Sequence, residues 1–181
     1  MKPTFKTRLL MTAIMSVILY SILFLGSQTP LTRGEAQQLM EQLEQIAASI
    51  DSPFFIFFNN FGLSLLMALP FAGILVGGWV IYETGRYFSA MAMIYEISPT
   101  ILIFLPIIMV YGILEFIGYG GMVTSGLILS HKIIRRQFRV EIKYYLLTLL
   151  LFAVVILIAA IIEYYLIIVA RDVLREVGGI L

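Results

Sequence analysis

Four long stretches of this chain are almost free of charge: Leu9–Leu25, Phe54–Tyr82, Ser98–Ser130 and Tyr144–Ala170. A helix needs about 20 apolar residues to cross the hydrocarbon core of a bilayer. With no water at that depth, each backbone N–H and C=O must find a partner inside the element, so each stretch is expected to be helical. None alternates polar and apolar residues as the strands of a membrane barrel do. Composition agrees. Of 181 residues, 61% are hydrophobic and 13% charged, whereas a soluble domain carries about 25% charged residues. The excess lies in long spans, and no segment is large enough for a separate soluble catalytic domain.

The sidedness of basic residues sets the expected topology. Lys2, Lys6 and Arg8 precede the first stretch with no acid among them. Between Ser27 and Ser52, Arg33 faces Glu35, Glu41, Glu44 and Asp51. The loop His131–Lys143 carries Lys132, Arg135, Arg136, Arg139 and Lys143 against Glu141. Tail and loop both belong in the cytoplasm, which requires an even number of crossings between them. The expected architecture is an all-α polytopic transmembrane bundle, a single membrane domain over 1–181, with about five crossings. The spans fall near 9–26, 54–82, 87–109, 112–130 and 144–170, the first read as a signal anchor. The amino terminus is cytoplasmic and the location the cell (plasma) membrane. Ser98-Pro99, Pro106 and Gly112 supply the breaks around the third span. A re-entrant hairpin over Tyr87–Ile108 is the alternative, with the same sidedness.

The segment 33–50 has its own helix signal outside the membrane. Thr32-Arg-Gly-Glu35 fits a capping box, and Ala36, Leu39, Met40, Leu43, Ile46, Ala47 and Ile50 recur at helical spacing. Its polar face, Gln37, Gln38, Glu41, Glu44 and Gln45, lacks the Lys and Arg that bind anionic lipid. The stripe either covers the rim of its own bundle or, through Leu39, Met40, Leu43 and Ile46, docks a partner.

Residue counts remove most chemistry. The chain has no cysteine and one histidine, His131, too few ligands for a thiolate or histidine-rich metal site. Thr124-Ser125-Gly126 lacks the glycine spacing of a nucleophile elbow, and no glycine loop with its lysine is present to hold phosphate. Asp51 and Asp172 both lie outside the expected spans. Neither an enzyme, a cofactor nor a nucleic-acid partner is expected, the basic cluster Lys132–Arg139 reading as a topology determinant and headgroup anchor. The expected partners are the lipid bilayer, copies of the chain and other membrane proteins.

What remains is intramembrane polarity. A charged side chain at the bilayer centre costs at least about 2.5–3.5 kcal/mol, so it faces the bundle interior or a wet cavity. Three carboxylates fall in or beside the spans: Glu96, Glu115 and Glu163. Glu115 lies near Gly112, among Tyr111, Gly118, Tyr119, Gly120 and Gly121, where the two tyrosine hydroxyls are available to hydrogen-bond its carboxyl group. In the second span Pro70 should kink the helix, and Gly73 and Gly77 form a small-xxx-small pair for close packing. Gly121 belongs to the same class of packing positions. Asn59 and Asn60 cap the helix or join a polar cluster.

These residues resemble a family. Asn59-Asn60, a glycine-rich span, Tyr82-Glu-Thr-Gly85, Tyr111-Gly-Ile-Leu-Glu115-Phe and the small residues of Gly120–Gly126 follow the order seen in the stage II sporulation protein M family. The likeness covers Phe54–Ser130. Glu115 and Gly112 stand where the glutamate and glycine of the family's histidine-glycine-x-x-glutamate motif stand. Tyr111 replaces the motif histidine and Thr84 the asparagine of an asparagine–glycine pair, so a role resting on that histidine does not carry over. The resemblance implies a five-crossing, non-enzymatic membrane protein. In spore formers its relatives help to assemble a cell-wall-remodelling complex, and homologues occur in organisms that never sporulate. The expected function is an assembly or scaffold component of a membrane complex. The alternative is a permease or pore subunit with intramembrane carboxylates lining a polar path.

Overall fold

The computed structural model describes residues 4–178, so Lys2 of the basic tail lies outside the described residues. Among the described residues there are seven helices and no strand: α1 (Phe5–Ser27), α2 (Arg33–Ala48), α3 (Pro53–Met67), α4 (Gly73–Tyr95), α5 (Pro99–Ile108), α6 (Tyr111–Ile134) and α7 (Phe138–Gly178). Side-chain oxygens start three of them. Thr4, Thr32 and Ser52 accept from backbone N–H groups in the first turns of α1, α2 and α3. The capping box is complete at α2, where the Glu35 carboxylate also accepts from the Thr32 N–H at 2.8 Å.

Among the described residues three helices are long and apolar enough to cross a membrane: Phe5–Ser27, Tyr111–Ile134 and Phe138–Val173. Five such spans are expected from the sequence, and the shortfall has two physical causes. The stretch 54–82 is not one kinked helix. It breaks at Ala68–Ala72, where Pro70 cannot donate and Phe71 takes a left-handed φ of 65°, and α3 ends after 15 residues. The break is held from outside: the Phe71 N–H donates to Ser130 Oγ at 2.7 Å and the Tyr145 hydroxyl to the Ala68 carbonyl at 3.0 Å. The expected span 87–109 is divided between two elements. Its first part is the end of α4, which terminates in a left-handed Glu96, and the rest is the 10-residue α5.

The helices run alternately along the bundle. Gly26 of α1 meets Gly85 of α4, and Ile22 meets Gly78, so these two run in the same direction. Ser16 meets Phe116, and a Cβ on Gly120 would strike Ser16 and Thr12, so α6 runs opposite to α1. Gly118 faces Ile156 and Gly121 the Phe152 ring, so α7 returns against α6. α3 runs with α6, from the Asn60–Glu115 pair to the approach of Ala68 on Gly126. α6 is the centre and packs on α1, α3, α4, α5 and α7. Its glycines admit a different neighbour on each side, and all residues from Gly118 to Gly126 are buried.

Each end of the bundle has its own polar ties. At one end Arg8 pairs with the buried Glu141 at 2.5 Å and its guanidinium lies 5.7 Å from the Tyr144 ring centre. At the other, Ser89 donates to the Thr29 carbonyl at 2.7 Å, Tyr164 to the Asp51 carbonyl at 2.8 Å and Arg171 to the Ala47 carbonyl at 3.1 Å. There α2 lies on the protruding end of α4, with Ala36 and Met40 buried against Ala90.

Candidate functional site

The carboxylates singled out in the sequence do not share one fate. Glu96 is exposed at the end of α4 and does not line the cavity that holds the other two. Glu115 and Glu163 face one cavity of about 470 Å³, which Asn59, Asn60, Tyr111, Gly112 and Tyr119 also line. This is the candidate site. It lies in the half of the bundle toward α2, and Leu43 and Ile46 of that helix form part of its wall.

α3, α6 and α7 each bring at least one polar group to the cavity. Asn60 donates its amide to Glu115 Oε1 at 2.5 Å, and Asn59 steadies that amide by donating to Asn60 Oδ1 at 3.3 Å. The partner of Glu115 is therefore an asparagine of α3, and neither tyrosine makes the expected hydrogen bond. α6 can present Glu115 one turn from its start because Gly112 lets Pro106 of α5 come close: a Cβ there would lie 2.7 Å from the proline Cβ. Glu163 comes from α7 and is within electrostatic reach of Glu115, Tyr111 and Tyr119. No hydrogen bond ties its carboxyl group to another described residue.

The remaining wall is largely apolar and aromatic. Tyr20 meets Phe104 and Phe116 edge-on at 6.2 and 5.3 Å, and Phe116 meets Tyr119 at 5.9 Å. α4 contributes Thr84, together with groups that sequence reasoning missed: Trp79, Tyr87 and Glu83, the last in an ion pair with Arg86 at 2.9 Å. The signal was available. Glu83 and Arg86 stand three residues apart, and such a pair neutralises itself on one helix face.

The other predicted positions are structural. A Cβ on Gly73 would run into the Met67 carbonyl, on Gly77 it would come to 3.1 Å from Met67 Cγ, and on Gly121 it would overlap the Phe152 ring. The α2 stripe, which the sequence leaves either covering its own bundle or docking a partner, packs within the chain. Met40 is buried, Leu39 and Leu43 pack with Ala36, Ala90 and Met91, and Ile46 is 44% exposed beside the cavity. The Tyr87 hydroxyl fastens the helix by donating to Gln42 Oε1 at 2.9 Å.

Among the described residues no group of three or more His, Cys, Asp or Glu side chains is placed to hold a metal ion. The cavity instead offers two carboxyl groups, an amide and phenol oxygens within aromatic walls, an arrangement suited to receiving positive charge. Compared with protein families, curated proteins and solved structures, the chain matches none.

Proposed function

We propose that this chain is an integral protein of the cell membrane and the solute-binding subunit of an oligomeric transporter for positively charged species. The observation that carries the reading is the meeting of Asn60, Glu115 and Glu163, from three helices, around one cavity. A purely structural carboxyl group would be closed off by its partner, whereas Glu115 keeps a face on open volume beside a second carboxyl group. In the proposed topology α1, α3, α4, α6 and α7 each traverse the bilayer, the break at Ala68–Ala72 serving as a turn near one surface. The basic residues of the amino tail and of the α6–α7 loop put that surface in the cytoplasm, and the Arg8–Glu141 pair joins the two basic segments. The cavity then faces the outer side. The proposed activity is binding and passage, without catalysis.

Proteoliposomes test this under an imposed membrane potential, with an internal pH dye and a potential-sensitive dye. Wild-type protein should pass protons or small cations, and Glu115→Gln and Glu163→Gln should each cut that flux at least tenfold at an unchanged melting temperature. The second reading is an assembly component, which the Asn60–Glu115 hydrogen bond between α3 and α6 favours and the resemblance to the stage II sporulation protein M family supports. It expects no flux in the wild type, near-normal assembly for Glu115→Gln, and loss of the complex for Glu115→Leu.

A further inference from the structure

The cavity holds an acceptor that nothing in the fold uses. Tyr119 is 6% exposed, it lines the cavity, and its hydroxyl has no hydrogen-bond partner among the described residues. Because Tyr119 lines open volume, its phenol oxygen is free to accept a hydrogen bond from a bound group. The same hydroxyl lies within electrostatic reach of both Glu115 and Glu163.

We infer that the cavity binds a small organic ammonium ion with an apolar body, its N–H groups donating to Glu115, Glu163 and the Tyr119 oxygen. This rests on the solute-binding reading and names its ligand class. Three features select the class. An ammonium group presents up to three donors and no acceptor, matching two carboxyl groups and one phenol oxygen. A bare Ca²⁺ takes 6–8 oxygen ligands and Mg²⁺ demands an octahedral set, which these side chains do not supply. The volume, about 470 Å³, is far larger than an ion and lies in the roughly 300–1,000 Å³ range of organic ligand sites. The wall beyond the carboxyl groups completes the fit. Tyr20, Phe88 and Phe116 offer ring surface to an aromatic or aliphatic body, and ring faces attract ammonium groups. Glu83 also lines the cavity, but Arg86 already neutralises it, leaving Glu115 and Glu163 as the carboxyl groups for the ligand.

The test uses 2-phenylethylamine as the probe and 2-phenylethanol as its uncharged counterpart, titrated by calorimetry against the full chain in nanodiscs of phosphatidylcholine. Wild type should bind the amine at least tenfold more tightly than the alcohol. Glu163→Gln should weaken the amine at least tenfold and Tyr119→Phe severalfold, each lowering the preference for the amine over the alcohol. Glu163 makes no hydrogen bond to another described residue, so its variant should keep the wild-type melting temperature. Repeating the wild-type titration in nanodiscs containing phosphatidylethanolamine separates the sources: a free amine is expected to bind equally well, and competition by the lipid would assign the site to an ammonium headgroup. Equal affinity for amine and alcohol, no amine binding at millimolar concentration, or full affinity in Glu163→Gln would overturn the proposal. Cation flux without amine binding removes only the ligand class. Amine binding without any flux removes transport and leaves the site.

Discussion

Glu141 is 3% exposed and carries a charge that only a close partner can satisfy, and Arg8 supplies it. Removing one member of a buried pair is far worse than removing both, because the survivor stays buried and uncompensated. Arg8→Ala should therefore destabilise the protein by about 3 kcal/mol. Adding Glu141→Gln should restore most of that, as read by chemical unfolding in mixed micelles; equal losses in the single and double variants would show that the pair is not coupled. Single residues were unevenly legible. Asn60, Glu115 and Glu163 stand out in sequence because polarity inside an apolar run is conspicuous. Gly26 and Gly85 do not, although a Cβ on either would strike the other helix's backbone. They lie in different spans, and a spacing pattern within one helix cannot announce a contact between two.

Helix boundaries followed local chemistry where local chemistry decides them. The capping box at Thr32 and Glu35 places the start of α2 at Arg33, as the sequence implies. The bond from the Thr32 hydroxyl, then that from its backbone N–H, holds the Glu35 carboxyl below the usual glutamate range. A depressed folded value means that the stabilisation is present above the unfolded value and lost as pH falls through the folded one. Amide exchange in the first turn of α2 should thus accelerate on acidification through that range, and Thr32→Ala should flatten the dependence; a pH-independent rate in the wild type would contradict it. The break between α3 and α4 was not legible as a reversal. Hydropathy is continuous through it, and Pro70 alone implies a kink, while the hydrogen bond that fixes the turn comes from Ser130, 59 residues along. Ser130→Ala leaves the Phe71 N–H unpaired and should cost about 1–3 kcal/mol of thermal stability, with Ser130→Thr retaining most of it.

Across the whole molecule, the alternating helices put the basic segments at one end and α2 at the other. The chain has no cysteine, so a single introduced thiol reports unambiguously. An impermeant maleimide applied to intact cells should label Ser49→Cys and spare Gln137→Cys; the reverse pattern would invert the proposed orientation. Sequence alone nominates the groups of the cavity, but their convergence depends on α3 and α7 flanking α6, which no local pattern encodes. The same arrangement has a consequence for synthesis. α1 seats on α4, α5 and α6, and none of its packing is against α3. At about 5–20 residues per second, the chain from Gln28 to Val110 takes roughly 4–17 s to translate before α6 even begins. Through that interval the first helix waits among lipids without α6, yet the Ser16 hydroxyl at its future contact already has a partner. Ser16 donates to its own Thr12 carbonyl at 2.9 Å and is placed to share that proton with Phe116, at 2.8 Å, once the later helix arrives.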